Sequence, residues 1–457
     1  MQQTKGLFRY FAAFSSRWCL CFIWLLVISC TQEPSIKNIT YGIDSSNVLR
    51  ANISFDAPEG RSSFVEYWEK SDSARNSFSR SPLTAENSVT LIGLLPDTEY
   101  SFRVLLDGSI DDSETSLEYD FKTGSLPDNL PKLSLVKNTP NTFDGFILVR
   151  RVLSPGCALI INSQGEIVWY ESVDTTLMNP YSWTKDNTII SLDHPKRINE
   201  FDLYGNKIFG LELGQKGYEK PLHHEIRKDE DGNILALTKE TKVFDLSHLG
   251  GQKQDTIHGD GILVLDPEGN KLWSWNIFQV ANPLEYPDIM RWKGDWSHAN
   301  SLNVVDDGNY IISFHHFDEV WKIDATTGEL LWKLGKGGDF DLAESDRFYK
   351  QHAAHQTPEG NLLLFDNGDN QRKTSRALQL KLNEADMEAK AQLSVFLPDS
   401  LFSFKQGSSF FIDSEKILFC IATKNKVAIT DLKGKVLWQI NSDCSFYRAV
   451  YIPNLYN

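Results

Sequence analysis

The sequence is poor in positive charge. Its 457 residues carry 46 lysines and arginines against 61 aspartates and glutamates, a formal net charge of −15 at pH 7. A protein that binds a nucleic-acid backbone needs a surplus of cationic side chains, so this balance argues against nucleic acid as a partner. Hydrophobic residues make up 41% and aromatic residues 12% of the chain, which is enough for packed cores in a chain too long for one small domain.

A long hydrophobic run is missing as well. The apolar stretch Trp18 to Ser29 extends for about a dozen residues, which is too short to span a bilayer as a helix. Because it follows three basic residues, it predicts a signal peptide over residues 1–30. The sequence Val27-Ile28-Ser29-Cys30 resembles a bacterial lipobox, in which the cysteine becomes the lipidated first residue. We therefore expect an exported bacterial lipoprotein that Cys30 anchors in the membrane, facing the periplasm or the cell surface.

Cysteine is scarce once that segment is removed. Two of the six cysteines leave with the signal peptide and Cys30 takes the lipid, so Cys157, Cys420 and Cys444 remain. An odd set cannot pair completely. A Cys420–Cys444 bridge and buried free thiols both stay open as interpretations.

Histidine is scarce too, with ten residues in the chain, yet several of them recur at one point of an internal repeat. Three stretches end in similar turns, which are Asp231-Gly232-Asn233, Asp307-Gly308-Asn309 and Glu359-Gly360-Asn361. Nine residues before the last asparagine of each turn stand His224, Asn300 and His352. His298 lies two residues before Asn300, on the same face of an extended strand. Equivalent positions in successive repeats are expected to converge on one place.

The second half of the repeat is a tight turn that is followed, in most copies, by an aromatic residue. Six copies are present, of which the fifth is degenerate: residues 161–169, 202–209, 266–273, 324–332, 380–384 and 431–438. Strand, turn and strand at a period of about 40 to 60 residues is typical of a β-propeller, whose four-stranded blades pack on their neighbours. The pattern predicts an all-β protein with a six-bladed β-propeller over residues 136–457, in preference to an up-and-down sandwich. The tryptophans that end the copies are expected to pack between blades.

A second unit precedes the propeller, over residues 35–124. Its segments alternate polar and apolar residues, and the stretch Leu94 to Val104 resembles the tyrosine-corner strand of fibronectin type III domains, with Tyr100 at the expected spacing. We expect a small fibronectin type III-like β-sandwich here, followed by a linker over residues 125–135. No cluster of ionisable residues stands out in this unit, so its expected role is spacing and packing.

Several imidazoles at the mouth of one channel can bind a metal ion, act as general acids or bases, or serve as nucleophiles. A zinc site usually has three or four ligands at short spacing, and the long intervals here neither require nor exclude one. Partly cationic imidazoles also suit an anionic substrate, because they supply hydrogen-bond donors and positive charge. The alternative interpretation is that each histidine only caps an inner strand.

Two sequence motifs, taken together, resemble those of a known family. They are His298-Ala299-Asn300, within the segment Asp295 to Leu302, and Gln351-His352 followed by Phe365-Asp366-Asn367-Gly368. Over roughly residues 130 to 440 the chain resembles the bacterial arylsulfotransferase family. That family transfers sulfate between phenols without a nucleotide donor, on a six-bladed propeller with an N-terminal β-sandwich. The resemblance implies small phenolic sulfate esters and phenols as partners, with no cofactor and no metal.

The resemblance also implies roles for particular residues. It makes His352 the nucleophile, which would hold the sulfuryl group as a sulfohistidine, while His224 and His298 would bind sulfate oxygens and move the phenol proton. Where the family has an arginine this chain has His315, a weaker and pH-dependent substitute for a permanent charge. Further substrate contacts are expected from His223, His316, His355, Asn300, Asn367 and Arg376.

Two other functions stay open. The segment Asp324 to Trp332 also resembles a repeat of quinone-dependent dehydrogenases, although those have more blades and usually an adjacent cysteine pair. Alternatively, the propeller binds a ligand at the cell surface without catalysis. A homodimer is a further open expectation.

Overall fold

The structure is a computed structural model that describes residues 35–71, 79–108, 115–173 and 180–456. The predicted signal peptide and Cys30 lie outside these residues. Within them, the predicted all-β class is confirmed, and α1 (Ile289–Trp292) is a single turn of α-helix. Single turns of 3₁₀ helix lie at Ser247–Leu249, Ile277–Gln279, Pro283–Glu285, Glu344–Asp346, Asp399–Leu401 and Ala422–Lys424. No helix in the described part of the chain has the length and apolar character needed to cross a membrane.

The N-terminal unit is a sandwich of two sheets. Its strands are β1 (Lys37–Ile43), β2 (Ala51–Asp56), β3 (Ser63–Glu69), β4 (Ser79–Arg80), β5 (Ser88–Leu91), β6 (Glu99–Leu106) and β7 (Tyr119–Lys122). One sheet has the order β1-β2-β5 and the other β4-β3-β6-β7. The Tyr100 hydroxyl accepts a hydrogen bond from the Leu95 amide at 2.9 Å, which is the contact a tyrosine corner makes. The assignment to fibronectin type III itself stays a prediction.

The remaining strands form six sheets of four or five strands. The first half contains β8 (Leu133–Asn138), β9 (Phe146–Arg151), β10 (Gly156–Asn162), β11 (Ile167–Val173), β12 (Tyr181–Trp183), β13 (Thr188–His194), β14 (Arg197–Asp202), β15 (Lys207–Glu212), β16 (Leu222–Lys228), β17 (Ile234–Phe244), β18 (Asp255–Leu265) and β19 (Lys271–Asn276). The second half contains β20 (Ala299–Val304), β21 (Tyr310–Phe314), β22 (Glu319–Ile323), β23 (Leu330–Gly335), β24 (Asp341–Leu342), β25 (His352–Gln356), β26 (Leu362–Asp366), β27 (Arg376–Asn383), β28 (Glu388–Phe396), β29 (Ser408–Asp413), β30 (Lys416–Ile421), β31 (Lys426–Asp431), β32 (Val436–Ser442) and β33 (Phe446–Ile452).

Each of these sheets is one blade of a closed ring. From the channel outward, blades 1 to 6 have the orders β33-β9-β10-β11, β12-β13-β14-β15, β16-β17-β18-β19, β20-β21-β22-β23, β25-β26-β27-β28-β24 and β29-β30-β31-β32-β8. The inner strands contact one another in sequence around the channel: β12 with β16, β16 with β20, β20 with β25, β25 with β29 and β29 with β33. The predicted six-bladed propeller, preceded by a small β-sandwich, is therefore confirmed.

The turns of the second half of the repeat, which precede the aromatic residues, join the third and fourth strands of each blade, counted from the channel. In blade 3 the Asp266 carboxylate accepts a hydrogen bond from the Asn270 amide at 2.7 Å, which holds the turn closed. Gly269 in the same turn has a φ of 88°, in the left-handed region that favours glycine. The residues of the turn are therefore sufficient to account for the hairpin between the third and fourth strands.

Indole groups connect neighbouring blades through the same turns. In three blades a buried tryptophan donates its Nε1–H to a carbonyl of the next blade's outer turn: Trp169 to Leu203 at 2.8 Å, Trp275 to Gly328 at 2.9 Å and Trp438 to Ser163 at 2.8 Å. The predicted packing of tryptophans between blades is confirmed for Trp169, Trp332 and Trp438, and Trp273 contacts Tyr310 of blade 4 with ring centroids 5.3 Å apart. In blade 3 the indole hydrogen bond comes from Trp275, which the repeat pattern did not single out.

The core lies between blades, as expected when each blade packs on its neighbours. One apolar cluster joins Leu235 and Ile262 of blade 3 to Leu302 and Ile312 of blade 4. Another joins Leu159 of blade 1 to the residues of blade 6.

Both ends of the propeller segment take part in closing the ring. β33 pairs with β9 as the innermost strand of blade 1, and β8 pairs with β32 as the outermost strand of blade 6. Because β8 begins at Leu133, the last residues of the predicted linker 125–135 already belong to a blade. The sandwich is docked on the ring, since Arg50 donates to the Leu203 carbonyl at 3.1 Å and pairs with Glu171 at 2.9 Å.

The three cysteines of the described chain are free thiols. Cys157 and Cys420 are buried and Cys444 is half-buried, so the Cys420–Cys444 bridge that the sequence left open is not formed. Burial is also the main cause that raises the pKa of the Cys420 thiol. These thiols pack as small apolar groups.

Removal of β33 should open the ring. A chain that ends at Ser445 leaves β9 with an unpaired edge and exposes the core between blades 1 and 6, so we expect the melting temperature to fall by more than about 10 °C. Differential scanning calorimetry of the full and shortened chains measures this. A shortened chain that melts within a degree or two of the full chain would contradict closure by β33.

Candidate active site

The predicted histidines stand at or near the first residues of the inner strands of three consecutive blades. His224 lies near the start of β16 in blade 3, His298 directly precedes β20 in blade 4, and His352 begins β25 in blade 5. The ladder register shifts at each of these points. His224 and His298 also have φ values of 54° and 51°. A bulge of this kind re-aims a side chain, and here it directs the imidazoles toward one another.

Five imidazoles, hereafter the histidine cluster, are connected by a chain of ring contacts: His224, His298, His315, His316 and His352. Ring centroids are 4.9 Å apart for His224 and His298, 5.0 Å for His298 and His315, and 5.4 Å for His315 and His352. His316 lies 4.9 Å from His298. The structure therefore brings together all four predicted catalytic histidines.

Hydrogen bonds determine which nitrogen of His352 carries the proton. His352 Nδ1 lies 2.8 Å from Asn367 Oδ1 and 3.0 Å from the Lys350 carbonyl. The Asn367 amide nitrogen donates to the carbonyls of Ser403 and Gln406, which orients the Asn367 oxygen toward the imidazole. Because both partners of Nδ1 are acceptors, the proton lies on Nδ1 and the lone pair on Nε2, where it accepts a hydrogen bond from the Gln406 backbone amide at 3.2 Å.

A second chain of bonds orients His224. His223 Nε2 lies 3.0 Å from Asp260 Oδ1 and 3.1 Å from the Thr238 carbonyl, so it carries a proton. His223 Nδ1 lies 2.8 Å from His224 Nδ1, so a single proton joins the two rings. The Asp260 carboxyl keeps a lowered pKa although burial acts against it, because His223 and Ser297 donate to it. This chain of bonds fixes the orientation of the His224 ring.

Burial makes most of the cluster neutral. It lowers the pKa of His352 to about 3, although the hydrogen bond to Asn367 acts in the opposite direction. Burial also lowers the pKa of His224, His315 and His316, with further lowering by the neighbouring imidazoles. The expectation that these four imidazoles supply positive charge is therefore wrong, because their burial removes the water that would stabilise a cation.

Asp295 binds the other side of the cluster. Its carboxylate lies 2.5 Å from His298 Nδ1, and its carbonyl accepts from His316 Nδ1 at 2.8 Å. Ligand-type atoms of Asp295, His298 and His316 lie within 4.8 Å of one another, which makes them the described residues that could hold a metal ion. The short contact between Asp295 and His298 is that of a hydrogen bond and leaves no room for an ion between the two atoms.

Three predicted substrate contacts lie away from the cluster or face other partners. His355 contacts the ring of Phe410 at 4.7 Å and lines a separate cavity of 690 Å³ between blades 5 and 6. Arg376 is buried and donates to Asp366 at 2.8 Å. Asn300 donates to the Gln351 carbonyl at 2.7 Å, so it holds the backbone that precedes His352.

Sequence reasoning missed two residues of this site. Tyr447, on β33, is buried with its ring 6.1 Å from His224 and 6.5 Å from His352. The Lys350 ammonium lies 3.3 Å from the His315 carbonyl and 3.1 Å from Asp318. Lys350 stands two residues before His352, so its position could have been noticed, whereas nothing local marks Tyr447.

The fold is a six-bladed propeller whose inner strands bring imidazoles together. Residues 132–396 match the arylsulfotransferase family. Because this match covers more than half of the chain, the protein belongs to the arylsulfotransferase family. No curated protein matches the chain.

Solved structures show distant similarities. A protein of unknown function from Bacteroides caccae has 18% identity and a TM-score of 0.46, over 68% of this chain and 100% of that chain. A streptogramin B lyase has 10% identity and a TM-score of 0.37, over 67% of this chain and 86% of that chain. Virginiamycin B lyase from Staphylococcus aureus has 11% identity and a TM-score of 0.34, over 68% of this chain and 88% of that chain. Similarities this distant support no conclusion about chemistry.

The protein should lose stability as the pH falls below about 6.5, the ordinary pKa of histidine in an unfolded chain. The folded-state pKa values of four cluster imidazoles are lowered, so the unfolded state binds more protons than the folded state below this pH. The free energy of unfolding therefore decreases as the pH is lowered. Each group contributes up to about 1.4 kcal/mol per pH unit. Urea unfolding between pH 7 and pH 5 measures the slope, which His315→Gln should reduce and the exposed control His248→Gln should not. An unchanged slope in His315→Gln would argue against a neutral buried His315.

Proposed function

We propose that this protein transfers a sulfuryl group from an aryl sulfate to a phenol through a sulfohistidine at His352. The observation that carries the proposal is the state of His352, which is neutral at physiological pH and has its lone pair on Nε2. A nucleophile needs such a lone pair, and this imidazole offers it without prior deprotonation once the hydrogen bond from the Gln406 amide to Nε2 opens. Membership of the arylsulfotransferase family supports the same reaction.

The first step forms a bond between His352 Nε2 and sulfur and breaks the ester S–O bond. The phenol oxygen leaves with the bonding electrons and takes a proton from His298, which the acceptor phenol gives back in the second step. As the Nε2–S bond forms, positive charge develops on the imidazole ring, and the Nδ1–H bonds to Asn367 and the Lys350 carbonyl become stronger. Asn367 thus acts as a positioning residue for the nucleophile.

The second step reverses the first with a new phenol. The acceptor loses its proton, its oxygen bonds to sulfur, and the N–S bond breaks with its electrons returning to Nε2. His298 is suited to carry the proton between the two phenols, because the Asp295 carboxylate binds its Nδ1 at 2.5 Å and Nε2 is left for the transfer. His224 is engaged with His223 through Nδ1, so Nε2 is the nitrogen with which it can exchange a proton or donate to a sulfuryl oxygen.

The proposal assigns the permanent charge of the site to Lys350. The residue at the position of the family's arginine is His315, whose lowered pKa leaves it uncharged. The Lys350 ammonium lies beside the His315 backbone and is one of the charges that lower the pKa of His315. Sulfuryl oxygens gain from a fixed cation as charge develops on them.

Turnover of a chromogenic aryl sulfate, with and without an added phenol, tests the reaction. We expect phenol release that rises with acceptor concentration. His352→Ala should abolish release, and His224→Ala or His298→Ala should slow it by about a hundredfold, because proton transfer and charge stabilisation are lost. Release that is independent of acceptor indicates a sulfatase. No release under any condition favours a propeller that only binds its ligand.

The role of Lys350 has its own test. Lys350→Met should lower kcat/KM for the aryl sulfate by about a hundredfold, and Lys350→Arg should retain most activity because it keeps the charge. His315→Arg should leave activity unchanged or raise it, since it restores the family's charge. Lys390→Met, which removes an exposed lysine on β28, an outer strand of blade 5, is the control. A Lys350→Met protein as active as the control would remove Lys350 from the mechanism.

We also propose that the protein is a lipoprotein whose anchor is Cys30. The lipobox-like context of Cys30 and the preceding apolar run support this. Metabolic labelling with a fatty acid should mark the wild type and not the Cys30→Ser variant. A wild type without label would exclude lipidation.

A further inference from the structure

A buried carboxylate lies behind the histidine cluster, in blade 3. Asp260 is on β18 and is 3% exposed. Although burial opposes ionisation, hydrogen bonds from His223, Ser297 and the Ala299 amide keep the pKa of its carboxyl lowered. A buried charge is costly unless its oxygens are hydrogen-bonded, so the partners of this carboxylate indicate its role.

The first oxygen of the carboxylate reaches His224 through His223. Asp260 Oδ1 lies 3.0 Å from His223 Nε2, and the Nδ1 atoms of His223 and His224 lie 2.8 Å apart. The Thr238 carbonyl, at 3.1 Å, is a second acceptor at His223 Nε2. Because both partners of this nitrogen are acceptors, it carries a proton. The carboxylate therefore orients His223, and His223 determines which nitrogen of His224 is engaged.

This chain of bonds lets His224 exchange a proton without becoming a cation. When His223 is neutral, the proton between the two rings belongs to His224, whose Nε2 then carries a lone pair. When Nε2 takes up a proton, His224 can pass its Nδ1 proton to His223, where the Asp260 carboxylate stabilises the imidazolium. A cation on His224 itself is disfavoured, since burial lowers its pKa well below the ordinary value.

The second oxygen of the carboxylate holds the segment that carries His298. Asp260 Oδ2 accepts from the Ser297 hydroxyl at 2.5 Å and from the Ala299 amide at 2.8 Å. These two residues stand on either side of His298, whose φ of 51° lies in the left-handed region that side chains disfavour. A backbone conformation of this kind persists only where its surroundings hold it, and the two hydrogen bonds do so here.

We infer that Asp260 is a positioning residue for both His224 and His298, with one carboxylate oxygen serving each histidine. It sets the protonation of His224 through His223 and fixes the backbone on both sides of His298. The inference rests on the proposed function for the part that the two histidines take in turnover. Because Asp260 acts through other residues and not on the substrate, its loss should lower kcat and leave KM nearly unchanged.

Asp260→Asn tests the inference, because it keeps the shape of the side chain and removes one acceptor. The Ala299 amide can only donate, so the oxygen of the new carboxamide stays with it and the NH₂ group faces His223 Nε2. The proton of His223 should then move to Nδ1, and that of His224 to Nε2. With an aryl sulfate and phenol, we expect kcat to fall about a hundredfold and KM to change less than about threefold.

Asp255→Asn is the matched control. Asp255 lies on the same strand and pairs with Lys293 at 2.6 Å, so the control also removes a paired carboxylate from β18. It should leave kcat, KM and the protonation of the histidine rings as in the wild type.

Nitrogen NMR of protein labelled in its histidine rings reads the tautomers without any substrate. In the wild type, His223 Nε2 should give the resonance of a protonated ring nitrogen. In Asp260→Asn the same atom should give that of an unprotonated nitrogen. The His223 resonances are those that disappear in His223→Gln.

The two readouts separate the inference from the proposed function. Reversed tautomers together with a lowered kcat support the inference. Unchanged tautomers, or an unchanged kcat in an active protein, overturn it and leave the sulfotransferase. Reversed tautomers in a protein whose wild type turns over no aryl sulfate support the placement of protons by Asp260 and overturn the reaction.

Thermal melts identify an Asp260→Asn protein that has failed to fold. In that case His223→Gln decides, because it breaks the first chain of bonds and leaves the carboxylate with Ser297 and Ala299. The inference predicts that kcat falls about tenfold with KM unchanged, whereas the kcat of the wild type would contradict it.

Discussion

The pairing of β33 with β9 is the constraint on which the ring and the site both depend. It closes blade 1 from the inside with residues that come last in the chain. The same strand carries Tyr447 to the cluster and Arg448 to Glu225 of blade 3, where the two ions meet at 2.7 Å. Breaking a buried pair of this kind by removing one partner costs about 3–5 kcal/mol. Closure and site geometry are therefore formed together.

Burial decides the chemistry of the cluster. A group of exposed imidazoles would be partly cationic near neutral pH, but the inner ends of the blades exclude water and lower the pKa values of His352, His224 and His315. In the proposed reaction the neutral imidazoles serve nucleophilic attack and proton transfer, and the permanent charge is assigned to Lys350, whose ammonium is also paired with Asp318 at 3.1 Å.

Much of the fold could be predicted because its signals are local. The outer turns, such as the one from Asp266 to Asn270, close through their own side chains. The spacing of His224 and His352 from the turns that follow them places both histidines at the channel. The rest depends on contacts between distant segments. Tyr447 reaches the cluster only through ring closure, His355 faces a different cavity although it is three residues from His352, and the loss of charge on His315 follows from burial that no spacing reveals.

The central claim is that His352 Nε2 is the group that carries the sulfuryl moiety. The most direct measurement is peptide mass spectrometry after a brief reaction with an aryl sulfate, quenched in base to preserve an N–S bond. The account predicts one peptide heavier by a single sulfuryl group, with the modification on His352 and absent from His352→Ala. A sulfuryl group on another residue, or an active His352→Ala protein, would contradict it.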